Sequence, residues 1–396
     1  MLILGIETSC DDTCAAIVKA TGRKNPRFKI LSNIRSSQIT IHNKFGGVVP
    51  HLAARAHVEN MNHVLKRCFE EAKIQMLHAK RTIDLIAVTT HPGLIPCLLI
   101  GTNVARTLAW LWQKPIIGVN HLDGHIYANW VNPIGENPKS KYRNPKQTQK
   151  IEFPAICLVV SGGHTQLIFM RGHDDFKIIG ETRDDAAGEA FDKVAKLLGL
   201  PFPGGPPISQ LAAKSKTKRN LRVPSLSSSP SLRVEDRSRE TQKEKITLPR
   251  PMINSKDYDF SFSGLKTAVL YLVQDLEKKY SRCSKKSPYP IPYTLYPQLC
   301  AEFQQAVIDV LIAKTVKAAK TYRVNTVIIG GGVATNKELK KQLKRAVRER
   351  LPGSDFRAPP ISLAVDNAAM IAAAGWFDYL NGKTKTWKNI KARAVV

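Results

Sequence analysis

Apolar residues in this chain fall into short runs separated by turn-forming clusters, and two stretches share one design. Leu2 to Ile6 is apolar, Glu7 to Thr13 is polar and turn-rich, and Ala15 to Val18 is apolar again. Ala155 to Val160, the turn Ser161-Gly162-Gly163-His164, and Gln166 to Met170 repeat that order in the second half. Each stretch predicts a strand, a tight turn and a returning strand. The recurrence hints at a duplicated α/β unit, although the two copies share too little identity to be called a sequence repeat.

Helical spacing predicts helices over 51–73, 98–112, 185–198, 293–321, 338–350 and 366–379, and a further one beginning at His121. Short apolar runs at 85–89, 116–119 and 326–329 predict buried strands. Strands alternating with helices imply α/β layers with largely parallel sheets. A chain of 396 residues is long for a single core, so two domains are expected. The expected division is 1–133, a basic linker loop at 134–150, a second domain at 151–380, and a basic tail at 381–396. Residues 214–250 are rich in Ser, Arg and Lys and poor in large apolar side chains, which predicts a flexible insertion within the second domain.

Charge changes the picture more than composition does. The net charge is +28, and the excess is concentrated in 134–150, 214–250, 337–350 and 382–396. Solvated helix faces explain many such runs, but an excess drawn from both halves favours a nucleic-acid partner. No apolar run reaches the length of a membrane span. The chain enters its first strand at Leu2, which leaves no room for a leader segment. Seven cysteines with no C-x-x-C pair argue against a disulfide framework and for a reducing cytoplasm.

Candidate chemistry comes from three sources. The turns at Ser161-Gly162-Gly163-His164, Phe202-Pro203-Gly204-Gly205-Pro206 and Gly330-Gly331-Gly332 bring backbone N–H groups close to a phosphate, or simply serve the backbone. No Walker lysine or G-x-G-x-x-G accompanies them, which points away from P-loop and Rossmann sites. His121 and His125 share a helix face and could grip one cation, with Asp366 as third ligand or merely as a helix cap. Leu122 stands where a zincin has its catalytic Glu. Glu7, Asp11 and Asp12 crowd the first turn, where they could act as a base or only stabilise the turn. Asp192 could accept hydrogen bonds from a ribose or pair with a nearby lysine.

Together the motifs carry a resemblance. They include Gly5-Ile6-Glu7-Thr8-Ser9-Cys10-Asp11-Asp12-Thr13, Asn120-His121-Leu122-Asp123-Gly124-His125 and Val160-Ser161-Gly162-Gly163-His164-Thr165. Further matches are the segments 184–195, 260–266, Gly330-Gly331-Gly332-Val333-Ala334-Thr335-Asn336 and Asp366-Asn367-Ala368-Ala369-Met370. The chain resembles the tRNA N6-adenosine threonylcarbamoyltransferase family of the bacterial TsaD type, once classed as glycoproteases.

That resemblance implies a duplicated actin-like, Hsp70-like ATPase fold with two domains around a nucleotide- and metal-binding cleft. It implies transfer of a threonylcarbamoyl group from threonylcarbamoyl-AMP to N6 of adenosine 37, in tRNAs reading codons that begin with A. The implied metal ligands are His121, His125 and Asp366, holding iron(2+) or else zinc. The implied substrate contacts are Val160, Ser161, Gly162, Gly163, His164, Asp192, Gly205 and Asn336, with Asp11 or Asp12 as proton acceptor. The implied partners are a TsaB-like pseudo-paralogue and a TsaE-like ATPase. Asp123 stands where relatives usually carry Glu, and Ser209 where they often carry an acid. Competing readings are a metal-dependent glycoprotease, an ATPase or kinase of the same architecture, and a non-catalytic tRNA-binding scaffold.

Overall fold

The computed structural model describes all residues except 24–25, 133–150, 174, 221–245, 281–291 and 395–396. In the first half, strands β1 (Leu2–Glu7), β2 (Asp12–Thr21) and β3 (Arg27–Ser37) form an antiparallel meander. The single turn α1 (Ile39–His42), α2 (Pro50–Glu71) and the turn α3 (Ala79–Thr82) lead to β4 (Leu85–His91). α4 (Ile95–Trp112) leads to β5 (Ile116–Asn120), then α5 (His121–Tyr127) and β6 (Val131–Asn132). The sheet order is β5-β4-β1-β2-β3-β6, with β1, β4 and β5 parallel.

The second half repeats the scheme. β7 (Ala155–Val160), β8 (Thr165–Met170) and β9 (Phe176–Glu181) form the meander. α6 (Ala187–Leu197), α7 (Gly205–Asn220), α8 (Ser263–Tyr280) and α9 (Tyr296–Thr321) precede β10 (Thr326–Gly330). α10 (Lys337–Arg350), β11 (Asp355–Arg357), the turn α11 (Ile361–Ala364) and α12 (Ala368–Leu380) follow. Its order, β11-β10-β7-β8-β9, is that of the first five strands of the other sheet, with the same parallel and antiparallel pairings. The duplication expected from the hairpin pattern is thus a duplication of topology, and the fold is the actin-like two-sheet α/β architecture.

β1 is apolar as far as Ile6 because both faces of its sheet are covered. Leu4 and Ile6 face a core with Val64, Leu65 and Phe69 of α2 and Ala105 of α4, whereas Ile3 faces one with α12. α12 belongs in sequence to the second half yet packs on the first sheet. A Cβ on Gly5 would stand 2.2 Å from the Ala368 carbonyl, so the helix lies directly on the β1 backbone. α5 sits between the halves. Leu122 and Ile126 pack on Cys157, Val159 and Ile328 of the second sheet, while Gly124 lies against Met370 and Ile371 of α12.

The structure departs from the sequence reading in places. β3, β9 and α8 lie outside the predicted elements. The 214–250 segment is not a loop throughout: α7 continues to Asn220, because Lys-rich sequence is a good helix former once Leu211 and Ala212 are packed. At its far end Ile246 and Leu248 are buried, and Arg250 pairs with Glu302 and Asp309 of α9. The expected loop at 134–150 and the middle of the insertion, 221–245, lie outside the described residues. The six described cysteines are free thiols. Among the described residues no helix is long and apolar enough to cross a membrane.

Candidate metal and nucleotide site

The carboxyl ends of β1, β4 and β5 in one sheet and of β7 and β10 in the other meet around α5, as expected for ligand sites of open α/β sheets. β5 ends at Asn120, whose side chain accepts the Leu122 N–H and caps α5. Helix geometry then brings His121 and His125 together edge to face, with ring centroids 4.6 Å apart. Asp366 arrives from the loop before α12. Its Oδ1 lies 3.6 Å from His121 Nε2 and 3.3 Å from His125 Nε2. One potential ligand atom from each of the three lies within 4.8 Å of the other two.

The surroundings of these groups suit a cation. Both ring nitrogens of His125 are buried, Nδ1 with no hydrogen-bond partner among the described residues and Nε2 with only the Asp366 carboxylate at 3.3 Å, out of hydrogen-bond alignment. That is a costly arrangement for an imidazole that holds nothing. His121 Nδ1 lies 2.9 Å from Glu7 Oε2, which leaves Nε2 facing Asp366. Glu7 is fully buried and also accepts from the Ser9 N–H and the Thr89 hydroxyl. A carboxylate on the far nitrogen of an imidazole is the usual support of a metal-binding histidine. Glu7 was visible in sequence as one acid among three. Ser9 and Thr89, which fix it, carried no signal beyond their type.

Electrostatics follow the same geometry. Burial works against charge on His121, but Glu7 and Asp366 push its pKa up to about 9. Burial also opposes ionising Asp366, yet the two imidazoles hold its pKa well below the ordinary carboxylate range. His125 is lowered, chiefly by burial. Burial and the nearby Asp366 raise Asp11, and they push Asp12 up to about 7 against the pull of Arg35. Arg35 lies 3.3 Å from Asp12, at the edge of the first turn.

Asp366 does not cap the final helix. α12 begins two residues later, at Ala368, and Asn367 is its cap, accepting the Met370 N–H. Asp and Asn are equally good caps, so the sequence could not separate them. The cap duty on Asn367 leaves Asp366 turned toward the histidines.

The second half contributes the glycine turns. Val160 is buried, and the Ser161 N–H donates to the His164 carbonyl, closing the β7–β8 turn. Burial and the nearby His121 and His125 lower the His164 pKa to about 4, so this turn stands beside the imidazole pair. The glycines divide into two groups. Gly331 has φ +90°, and a Cβ there would meet the Val160 carbonyl at 2.3 Å, so the backbone alone demands glycine. Gly162 and Gly163 have no left-handed φ, and a Cβ on either would point into open space, as would one on Gly205 or Gly332. Nothing in the fold requires glycine at these four positions, and each leaves room for something to approach.

Asp192 Oδ1 accepts the Gly204 N–H at 2.6 Å, which ties α6 to the Gly204-Gly205 turn that opens α7. Its pKa is pushed up to about 6 by burial, despite that hydrogen bond. It does not pair with Lys193, which bridges Asp185 and Glu189. Asn336 caps α10 through its oxygen and donates to Ser209 and Gln304 through its nitrogen. The Ser209 departure therefore sits in direct contact with a predicted substrate contact. Asp123 lies on α5, its pKa pushed up to about 7 by burial and by Asp378.

Comparison with known proteins matches the chain to one family. The family model described as tRNA N6-adenosine threonylcarbamoyltransferase matches residues 29–373. Curated proteins of that name are 42% identical in Geobacillus kaustophilus, across 96% of this chain and 92% of theirs. The Thermomicrobium roseum protein is 44% identical across 95% of this chain and 92% of its own. The Bacillus subtilis protein is 42% identical across 96% and 92%. Among solved structures, HypF of T. kodakarensis aligns with a TM-score of 0.51 at 13% identity, over 96% of this chain and 48% of that one, a likeness of fold alone. The chain belongs to the tRNA N6-adenosine threonylcarbamoyltransferase family.

Proposed function

We propose that this chain moves a threonylcarbamoyl group from threonylcarbamoyl-AMP to the N6 amine of an adenosine in tRNA, releasing AMP. The observation that carries the reading is the meeting of His121, His125 and Asp366 beside a glycine turn with open space above it, in a member of this transferase family.

In the transfer, the adenosine N6 forms a C–N bond to the carbamoyl carbon, and the bond from that carbon to the phosphate oxygen of AMP breaks. The N6 proton must leave. Asp12, with a pKa near neutrality, accepts it more readily than an ordinary carboxylate would. Backbone N–H groups at Gly162 and Gly163 take the departing phosphate, and Gly205 and Gly332 leave room for the nucleoside. His121 Nε2, His125 Nε2 and Asp366 Oδ1 form a donor set that suits iron(2+) or zinc, which supplies Lewis-acid stabilisation of an oxyanion when bound. Glu7 orients His121 for that duty.

An exposed apolar surface on the first half supports docking of a helper subunit. Val58 of α2 and Leu99, Trp110 and Leu111 of α4 are exposed apolar side chains on the first half, where a TsaB-like partner fits. The TsaE-like ATPase belongs to the same reading.

Mass spectrometry of tRNA nucleosides after incubation with threonylcarbamoyl-AMP and the partner subunits tests the reading. The wild type is expected to yield threonylcarbamoyladenosine. His121→Ala with Asp366→Ala is expected to lose activity by about a thousandfold or more while tRNA binding survives. Unchanged modification in that variant makes the chain a scaffold, and ATP turnover without tRNA makes it an ATPase.

A further inference from the structure

Residues 383–394 lie beyond the span matched by the family model and form a strap along the first half. The strap starts on β5, the open edge of its sheet, where the Lys385 N–H donates to the Ile116 carbonyl at 2.9 Å. Trp387 then accepts the Arg106 side chain of α4 through its carbonyl, and Ile390 is buried in the core beneath. The path ends where the Arg393 N–H donates to the Thr90 carbonyl at 2.8 Å.

Ile116 opens β5, and Thr90 lies near the end of β4, so the strap runs from the amino edge of the sheet to its carboxyl edge. That second edge carries the candidate site. Thr89, next to Thr90, donates to Glu7, and Glu7 holds His121.

Anchoring takes only backbone groups and two apolar side chains, which leaves the cations outside. Lys385, Lys388, Lys391 and Arg393 are all exposed, and none makes an ion pair among the described residues. Residues 382–394 contain no acid, and the nearby Asp378 is taken by Lys383 at 2.8 Å. Burial and then the charges of Arg393 and Lys385 lower the pKa of His91, which places those charges at the rim. Lysines also protect exposed sheet edges, but the strap pairs with β5 only at Ile116–Lys385, and Lys391 and Arg393 lie past that pairing. Lys388 stands over the Trp387 ring at 5.6 Å, while Lys385, Lys391 and Arg393 have no ion-pair partner among the described residues.

We propose that this strap is an RNA-contacting rail, on which Lys385, Lys388, Lys391 and Arg393 hold phosphates of the tRNA and steer one of its bases toward His121, His125 and Asp366. The inference rests on the transferase reading above.

The test replaces all four cations with Gln in the full-length chain and measures tRNA affinity across a salt series. Affinity is expected to fall about tenfold or more at low salt, and the slope of log affinity against log salt to shrink by ~2–3. The thermal midpoint and the affinity for threonylcarbamoyl-AMP should stay at wild-type values. A second set, Lys66→Gln, Arg67→Gln, Lys80→Gln and Arg81→Gln, removes equal charge from exposed positions on α2 and α3, off the strap. It is expected to change affinity by less than about threefold. Equal losses in the two sets reduce the effect to net charge and overturn the rail. Should the fourfold variant fold poorly, Lys391→Gln with Arg393→Gln must still lower the slope by ~1–2. If the wild type modifies tRNA and the strap variant matches it in affinity and slope, the rail alone is wrong. If the wild type neither binds nor modifies tRNA, the transferase reading falls with it.

Discussion

The two hairpin turns of this molecule occupy equivalent places in equivalent sheets and are built in opposite ways. The β1–β2 turn is crowded with polar groups: Glu7 is buried, Ser9 and Thr89 fix it, and Asp11 and Asp12 stand with raised pKa values. The β7–β8 turn is bare, with Gly162 and Gly163 facing open space. A duplicated fold offers two carboxyl edges, and here one has been filled with charge while the other has been emptied. Asp366 joins them, coming from second-half sequence in the loop before α12, a helix that packs in the first half. The difference teaches that duplication of topology need not duplicate chemistry. The filled edge suits a cation and proton transfer, and the empty edge suits a phosphate.

The sharpest way to break the comparison is at Gly331, a glycine that the backbone requires. Gly331→Val places a side chain at φ +90° and against the Val160 carbonyl. Its expected cost is about 3 kcal/mol or more, read as a lowered midpoint in denaturant. A stable Gly331→Val would mean that this turn is glycine for a ligand and not for the fold.

Asp192 gives a smaller and pH-dependent effect. Its folded pKa of about 6 exceeds the ordinary carboxylate value, so the ionised form disfavours the native state. Stability from this group is present at low pH and is lost as pH rises from about 4 through about 6. Asp192→Asn keeps an oxygen for the Gly204 N–H and removes that loss. The variant should gain roughly 1–2 kcal/mol at pH 7, allowing for partial exposure, and nothing near pH 4. Equal stability curves across this range would refute the assignment.

Gly163→Ala is expected to be the mildest in stability, within about 0.5 kcal/mol, because its Cβ meets nothing. It should nevertheless weaken binding of threonylcarbamoyl-AMP by about tenfold, since the new methyl occupies the approach to the turn. Calorimetry that finds unchanged affinity would remove the phosphate role from the bare edge.

Much of this arrangement was legible in the chain. The hairpins, the strands at 85, 116 and 326 and the His121 helix follow from period and turn chemistry, because buried parallel strands and helix starts leave local marks. α8 left a mark too, with Leu265, Val269, Val273 and Leu276 buried at helical spacing, but the alternating Phe260-Ser261-Phe262-Ser263-Gly264 that leads into it hid the start. The placement of α12 on the first sheet was not legible, since an apolar helix does not say which sheet it covers. Likewise Asp366 and Asn367 differ in role only through the pull of histidines distant in sequence. Asn336, a ligand contact by the resemblance, serves α10 as its cap, which the sequence did not reveal. Glycine counts could not separate Gly331, needed by the backbone, from Gly162 and Gly163, which have open space above them.

The most direct test is the metal content of the chain purified without chelators, compared with that of Asp366→Ala. One iron or zinc per chain is expected in the wild type, and less than about a tenth of that in the variant, because two imidazoles without the carboxylate hold a divalent ion weakly. Full metal occupancy in Asp366→Ala would contradict a site assembled from both halves of the molecule.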